Sequence, residues 1–302
     1  MDVSLFSPAK INLTLAITGR RPDGFHDLVS VVAPLDFGDT LEAKHKIGGK
    51  FSLECGHPEV PVDGSNLVLK AAEAFATTTG WSGRVHFRLT KRIPPGAGLG
   101  GGSSNAVAAL LALNQLAGGL LGEAQLAAVA STLGSDCALF LASAPVVMRG
   151  RGEHIEKLPA AAATRLHGRR VLLFKPSFGV GTPWAYQRMV TRGADYVPAS
   201  EAEARLAAWV RGNVAAEELP GNNMEPAVFE KYVALPMLGE KLRREFGLRM
   251  RMTGSGSACY ALLSDMATGL TLAVSDETVT RIKQMIRACW GEGAFVQEAR
   301  LV

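Results

Sequence analysis

Pro94-Pro-Gly-Ala-Gly-Leu-Gly-Gly-Gly-Ser-Ser-Asn-Ala106 is the stretch on which the reading of this chain turns. It holds five glycines between Pro95 and Ser103. A strand-like segment, Arg84 to Thr90, precedes it, and an apolar helical segment, Ser104 to Ala117, follows. The glycines therefore sit at a strand-to-helix turn. Glycine adopts positive φ at little cost and lets a ligand come close to the backbone. The first N–H groups of a helix have no partner inside it, and the helix dipole is positive at that end. Such a loop predicts a phosphate cradle. The apolar, ordered-looking flanks argue against a flexible linker.

Other phosphate loops fit less well. Gly96-x-Gly98-x-x-Gly101 matches the dinucleotide fingerprint in spelling only. That fingerprint needs a compact βαβ unit with an acidic residue about 20 positions on, at the end of a second strand. Here the next segment, Glu123 to Leu133, reads as another helix with Glu123 in its first turn. The Gly-x4-Gly-Lys-Ser/Thr loop is missing, as are the His-Arg-Asp and Asp-Phe-Gly blocks of protein kinases.

The 302 residues are 47% hydrophobic and 20% charged, which suits a globular chain of two domains. The net charge of +4 is a mild excess, and the basic residues are dispersed. A small acidic ligand is expected rather than nucleic acid, which would want a basic stripe. No apolar run reaches the ~20 residues of a membrane helix, and the first residues do not resemble a signal peptide. Cys55, Cys137, Cys259 and Cys289 are far apart, which predicts a reduced, cytoplasmic protein rather than a disulfide or zinc framework. The six histidines form no ligand-spaced pair, so no dedicated metal site is expected.

Ala9, Ile11, Leu13, Leu15 and Ile17 alternate with Lys10, Asn12 and Thr14, a half-buried strand. Gly19-Arg-Arg-Pro-Asp-Gly24 is turn chemistry. Strands are expected near Val29–Leu35, Asp39–His45 and Phe51–Cys55, and a helix at Leu67–Thr77 entered through Ser65-Asn66. Pro145, Gly150, Gly152 and Pro159 punctuate the middle of the chain, and Ala160–Ala163 reads as a connector. Val171–Phe174 is a short buried strand. Helices follow at Pro198–Gly212, at Pro226–Phe246 interrupted by Pro236, and at Asp276–Cys289. Leu248–Met252 reads as a strand, Thr253-Gly-Ser-Gly-Ser-Ala258 as a turn, and Cys259–Leu263 as another strand. Strands first and helices later predict an α+β fold with a mainly antiparallel or mixed sheet. The domain boundary is expected at 158/159.

Taken singly, the polar residues have plain readings. Lys10 belongs to a solvated strand face. Asp136, after Gly134-Ser135, caps a short helix. His26 is structural or merely exposed. The Thr253–Ala258 turn either is a simple tight turn or lines a bound phosphate. Together they offer more. Phosphoryl transfer needs N–H donors, a cation against developing charge, and a carboxylate to take the acceptor's proton. A lysine beside Asp136 would keep it ionised.

Ser7-Pro-Ala-Lys-Ile-Asn-Leu13, Gly19-Arg-Arg-Pro-Asp-Gly-Phe-His26, the Pro94–Ala106 loop and Met252-Thr-Gly-Ser-Gly-Ser-Ala258 closely resemble, in this order, the motifs of the GHMP kinase superfamily. The resemblance implies a two-domain α+β fold with its active site in the cleft between the domains. Residues 1–158 would bind ATP and residues 159–302 the substrate. Within the superfamily, the blocks look like those of members that phosphorylate the 2-hydroxyl of the methylerythritol unit of a cytidine diphosphate conjugate. That reaction belongs to the methylerythritol phosphate route to isoprenoid precursors. By the same resemblance Asp136 is the base and Lys10 orients it and stabilises charge. Pro94, Pro95, Gly96, Ala97, Gly98, Leu99, Gly100, Gly101, Gly102, Ser103 and Ser104 hold the ATP phosphates, with Asn66 near the adenosine. Mg2+ is expected, bound through those phosphates, and Ser104 is the nearest candidate ligand. Asn12, Phe25, His26, Thr182 and Tyr186 face the substrate, with Phe25 and Tyr186 sandwiching the cytosine.

Three positions depart from the family pattern. Phe25 stands where tyrosine is usual, so a ring remains without its hydroxyl. Gly134-Ser-Asp-Cys-Ala138 replaces Gly-Ala-Asp-Val-Pro. Trp184 is bulkier than expected. Two other functions are weighed: another small-molecule kinase of the superfamily, of homoserine or mevalonate type, and an inactive nucleotide-binding regulator. The Asp-Gly-Phe-His block and Tyr186 argue for the cytidyl substrate, and retention of both Lys10 and Asp136 argues for catalysis.

Overall fold

The computed structural model describes residues 2–46, 48–193, 195–213, 219, 221–265 and 272–302. Among these, the chain opens with two long strands that pair, β1 (Asp2–Arg20) and β2 (His26–Lys46). The two strands expected at 29–35 and 39–45 are one. Gly38 lets β2 run through, because a Cβ there would collide with the Ser7 carbonyl and the Phe6 ring. The polar alternates of β1 are not a solvated face: Lys10, Asn12 and Thr14 are 4%, 7% and 6% exposed. The period-2 pattern separated the two faces of β1 correctly, yet both faces are covered.

The chain forms two compact units, neither continuous in sequence. The first contains Met1–Lys10, Asp36–Pro95 and Gly100–Ser143, and the second Ile11–Leu35, Gly96–Leu99 and Ala144–Val302. A single cut at 158/159 is therefore not where the packing divides. The cause is β1 and β2, whose lengths give residues to both units.

In the first unit, the C-terminal half of β2 pairs antiparallel with β4 (Arg84–Thr90), from Thr40 opposite Thr90 to Lys46 opposite Arg84. β3 (Ser52–Cys55) lies parallel to β4. Helices α1 (Leu67–Thr79), α2 (Gly101–Leu116) and α3 (Glu123–Leu133) pack on one another. The Asn66 carboxamide caps α1 by accepting from Val68 N at 2.9 Å. In α2, residues Ala106, Val107, Ala108, Ala109, Leu110, Ala112 and Leu113 are all buried. Such a helix is core on nearly every side, so its first turn is held firmly.

In the second unit, the N-terminal half of β2 pairs antiparallel with β5 (Val146–Gly150), which turns back into β6 (His154–Lys157). Ala160–Ala163 is not a connector but most of α4 (Ala160–Thr164), since alanine favours helix. A second sheet has the order β12–β7–β9–β8, from β7 (Arg170–Lys175), β8 (Arg251–Met252), β9 (Cys259–Leu262) and β12 (Phe295–Arg300), every pairing antiparallel. β10 (Ser264–Asp265) and β11 (Leu272–Ala273) make a short ribbon. Among the described residues the remaining helices are α5 (Thr182–Arg192), α6 (Ala199–Val210), α7 (Glu225–Phe229), α8 (Ala234–Phe246) and α9 (Asp276–Trp290). The helix expected over 226–246 is two. The break falls before Ala234, and Pro236 sits in the first turn of α8, where its missing N–H costs nothing. Among the described residues no helix is long and apolar enough to cross a membrane.

Candidate active site

Each unit carries its own group of the expected residues. In the first, Lys10 Nζ stands 3.6 Å from Asp136 Oδ2, with the lysine side chain 5% and the aspartate side chain 41% exposed. Asp136 is not a helix cap. The 3-10 turn Ala138–Leu141 begins after Cys137 and has no side-chain cap hydrogen bond. The plain readings of both residues therefore fail together. Cys137, next in sequence, is buried, and burial pushes its thiol up to about 11. It hydrogen-bonds Ser103 and stays a neutral neighbour.

α2 starts at Gly101 with no side-chain cap on its N-terminal N–H groups. A Cβ on Gly100, whose φ is +74, would lie 2.9 Å from Lys10 Cγ. One on Gly101 would lie 2.7 Å from Lys91 Nζ. Two lysine side chains thus flank the start of α2, each paired with a carboxylate, Asp136 and Asp39, while the uncapped dipole end itself suits an anion. Lys91 is held by Asp39, which pulls its pKa up, but burial dominates and lowers it. Asn66, the residue expected near adenosine, also donates from Nδ2 to Pro61 O at 2.6 Å.

The centre of the glycine loop belongs to the second unit, against the Thr253–Ala258 turn. Ala258 N donates to Ala97 O at 3.2 Å. A Cβ on Gly98, whose φ is +77, would lie 2.5 Å from Thr253 O. Only glycine permits this approach. Thr182 Oγ1 lies 2.7 Å from Ser255 Oγ, joining the start of α5 to the same turn. Asn12 takes part as well. Its N–H donates to Thr253 Oγ1 at 3.0 Å, its Oδ1 accepts from that hydroxyl at 3.2 Å, and its Nδ2 donates to Ser30 Oγ at 2.9 Å. Asn222 clamps the turn from another side, donating to Met252 O at 3.2 Å and Gly254 O at 2.6 Å.

His26 is buried, not exposed, in an aromatic group. Its ring centroid is 4.7 Å from that of Tyr186 and 6.0 Å from that of Tyr196, and its Nε2 is 3.1 Å from Tyr196 Oη. Burial, aided by Arg20, lowers its pKa below the ordinary 6.5. Phe25 is 53% exposed, and the Arg151 guanidinium lies 4.8 Å over its ring.

The sequence reading brought forward Lys10, Asp136, His26 and Tyr186. It missed Lys91, Asp39 and Tyr196. Lys91 carried a usable signal, because it lies directly between the strand and the glycine loop. Tyr196 had none, since it lies far from His26 in sequence. Among the described residues no group of three or more histidines, cysteines or carboxylates is arranged to hold a metal ion.

Residues 66–144 match the family described as GHMP kinases N terminal domain. A 4-diphosphocytidyl-2-C-methyl-D-erythritol kinase of Methylacidiphilum infernorum (isolate V4) is 38% identical over 266 residues, 87% of this chain and 86% of that protein. A crystal structure of a 4-(cytidine 5'-diphospho)-2C-methyl-D-erythritol kinase is similar with a TM-score of 0.77 at 32% identity, covering 99% of each chain. The homoserine kinase of Cytophaga hutchinsonii gives a TM-score of 0.70 at 18% identity, over 99% of this chain and 95% of that one, a likeness of fold alone.

Proposed function

Because this chain belongs to the 4-diphosphocytidyl-2-C-methyl-D-erythritol kinase family, we propose that it moves the γ-phosphoryl group of ATP to the 2-hydroxyl of 4-diphosphocytidyl-2-C-methyl-D-erythritol. The class is an ATP-dependent small-molecule kinase of the GHMP type. The observation that carries the residue assignment is the Lys10–Asp136 pair at 3.6 Å, in the same unit as the uncapped start of α2.

In this reading Asp136 accepts the proton of the acceptor hydroxyl. The oxygen bonds the γ-phosphorus as the bond to the β,γ-bridging oxygen breaks, leaving ADP. Lys10 orients the carboxylate and offsets charge on the transferring group. Gly96 to Ser104, with the first turn of α2, hold the phosphates through backbone N–H groups, Pro94 and Pro95 shape the loop's entry, and Lys91 lies beside it. Asn66 lies at the adenosine end. On the acceptor side His26 and Tyr186 recognise cytosine with Phe25. Asn12 and Thr182 hold the Thr253–Ala258 turn at the acceptor. With Nε2 of His26 on Tyr196 Oη, its Nδ1 remains to hydrogen-bond the cytosine edge.

Magnesium carried on the phosphates would neutralise their charge. Mg2+ takes oxygen ligands and few protein groups when phosphates supply the rest; the Ser104 hydroxyl, expected nearest to it, is instead buried and accepts from Ser7 Oγ at 2.8 Å. The four cysteines are free thiols, which supports a cytoplasmic setting.

The product tests the assignment. C2 of the acceptor carries a methyl group and no hydrogen, so a phosphomonoester at its oxygen has no three-bond coupling to a carbinol proton. The proton-coupled 31P spectrum of the product should hold one new monoester signal without that splitting. A split signal would mean transfer to another hydroxyl, and no new monoester would reject the acceptor.

A further inference from the structure

Tyr196 lies between α5 and α6, and hydrogen bonds of its neighbours fix its place. Val197 N donates to Ile17 O at 3.2 Å. The Asn223 carboxamide donates to Asp195 O and to Ile17 O, each at 2.8 Å, and accepts from Ile17 N at 2.8 Å. The stretch around Tyr196 is thereby tied to β1, inside the second unit. From there the Tyr196 ring stacks on that of His26, with the planes 29° apart, and its Oη lies 3.1 Å from His26 Nε2.

This bond has a favoured direction. A phenol is a stronger acid than the N–H of a neutral imidazole, and an imidazole nitrogen is a stronger base than a phenol oxygen. Tyr196 therefore donates and Nε2 accepts. Burial raises the Tyr196 pKa, so the phenol keeps the proton it gives. Burial, with Arg20 second, lowers that of His26, so the ring stays neutral and keeps the lone pair that Tyr196 needs. A neutral imidazole with its Nε2 lone pair engaged carries its hydrogen on Nδ1. Among the described residues Nδ1 has no hydrogen-bond partner. The buried unpartnered side-chain nitrogens are Arg165 Nε and Trp209 Nε1, and Nδ1 is not one of them. The 8% of its surface that His26 keeps therefore includes this nitrogen.

We propose that Tyr196 is a positioning residue that sets the base specificity for the acceptor: its hydroxyl locks His26 in the Nδ1–H form, and that N–H is offered to the base. Cytosine has a bare N3 that accepts from it. Uracil carries a hydrogen on N3, so two donors would meet. The acceptor is then a cytidine and not a uridine diphosphate conjugate. This rests on the reading of His26 as the cytosine contact. Tyr196 acts through His26 and touches no reacting atom.

The test compares the wild type, Tyr196→Phe and His26→Phe in two measurements. Two-bond 1H–15N spectra of histidine-labelled protein read the tautomer of His26. Steady-state rates with the cytidyl conjugate and its uridyl analogue read the specificity. Tyr196→Phe keeps the ring and its backbone ties and removes only the hydroxyl. The wild type should show the Nδ1–H form and Tyr196→Phe should lose it. In Tyr196→Phe the preference for cytidyl over uridyl in kcat/KM should fall by about tenfold, the worth of one hydrogen bond. The fall should lie in the KM for the cytidyl conjugate, with kcat and the KM for ATP unchanged, a split that a general loss of structure would not give. His26→Phe should lose at least as much of the preference. The Nε2–H form in the wild type would overturn the proposal. A preference kept in Tyr196→Phe but lost in His26→Phe would overturn it and leave His26 as the cytosine contact. A preference kept in both would overturn the two readings together, and turnover of neither conjugate by the wild type would overturn them with the function itself.

Discussion

Lys10 Nζ lies 3.6 Å from Asp136 Oδ2, yet the lysine side chain is 5% exposed and the aspartate side chain 41%. The cation is fixed among protein atoms, and the carboxylate remains open to a small molecule. That asymmetry is what a general base needs: a partner that cannot drift away and an oxygen that an incoming hydroxyl can reach.

Asp136→Asn should accordingly bind ATP as the wild type does and lose turnover by on the order of 10²-fold or more, the usual cost of a missing proton acceptor. Steady-state rates with a parallel nucleotide titration check this. Turnover near the wild-type value would remove Asp136 from the proposed chemistry.

Gly98→Ala is expected to weaken nucleotide binding more than Gly96→Ala. Both positions have positive φ, +77 and +61, which costs an alanine roughly 1–2 kcal/mol. At Gly98 the new Cβ would also lie 2.5 Å from Thr253 O, whereas at Gly96 it would meet nothing within 4 Å. The loop must shift in one variant and not in the other. Equal nucleotide affinities for the two would mean that the approach of Gly98 to Thr253 does not shape the cradle.

If His26 faces the acceptor as proposed, it is expected to give a pH dependence on that side alone. Its pKa is held below the ordinary 6.5 by burial and by Arg20, so the folded protein keeps it neutral where an unfolded chain would already be protonated. In that window the unfolded state binds more protons, so stability from this group is complete above 6.5 and falls as pH drops towards the depressed value. The KM for the acceptor should stay level through that window and rise only as pH falls through the depressed value, while the KM for ATP stays level. His26→Asn should abolish the rise. An acid rise that survives in His26→Asn would assign it to another group.

The local signals carried most of the elements because they lie within a few residues. β4 (Arg84–Thr90) and α3 (Glu123–Leu133) fall where alternation and apolar spacing put them, and Asn66 caps α1 as its position before Leu67 suggests. Two kinds of information were out of reach. One is what covers a polar face. Lys10, Asn12 and Thr14 spell a solvated edge, but residues distant in sequence close over them, such as Thr253 over Asn12. The other is pairing across the chain. Asp39 meets Asn105 and His26 meets Tyr196 with nothing local to announce it. The cut at 158/159 failed for a similar reason: β1 and β2 each serve both units, and a boundary drawn in sequence cannot pass through a strand.

ADP release from Mg-ATP tests the central claim most directly, with 4-diphosphocytidyl-2-C-methyl-D-erythritol compared against methylerythritol phosphate, homoserine and mevalonate. Turnover with the cytidyl conjugate and none of the others is the expected result. Turnover with homoserine or mevalonate in its place would contradict the acceptor assignment, and tight ATP binding without turnover on any of the four would contradict catalysis by the Lys10–Asp136 pair.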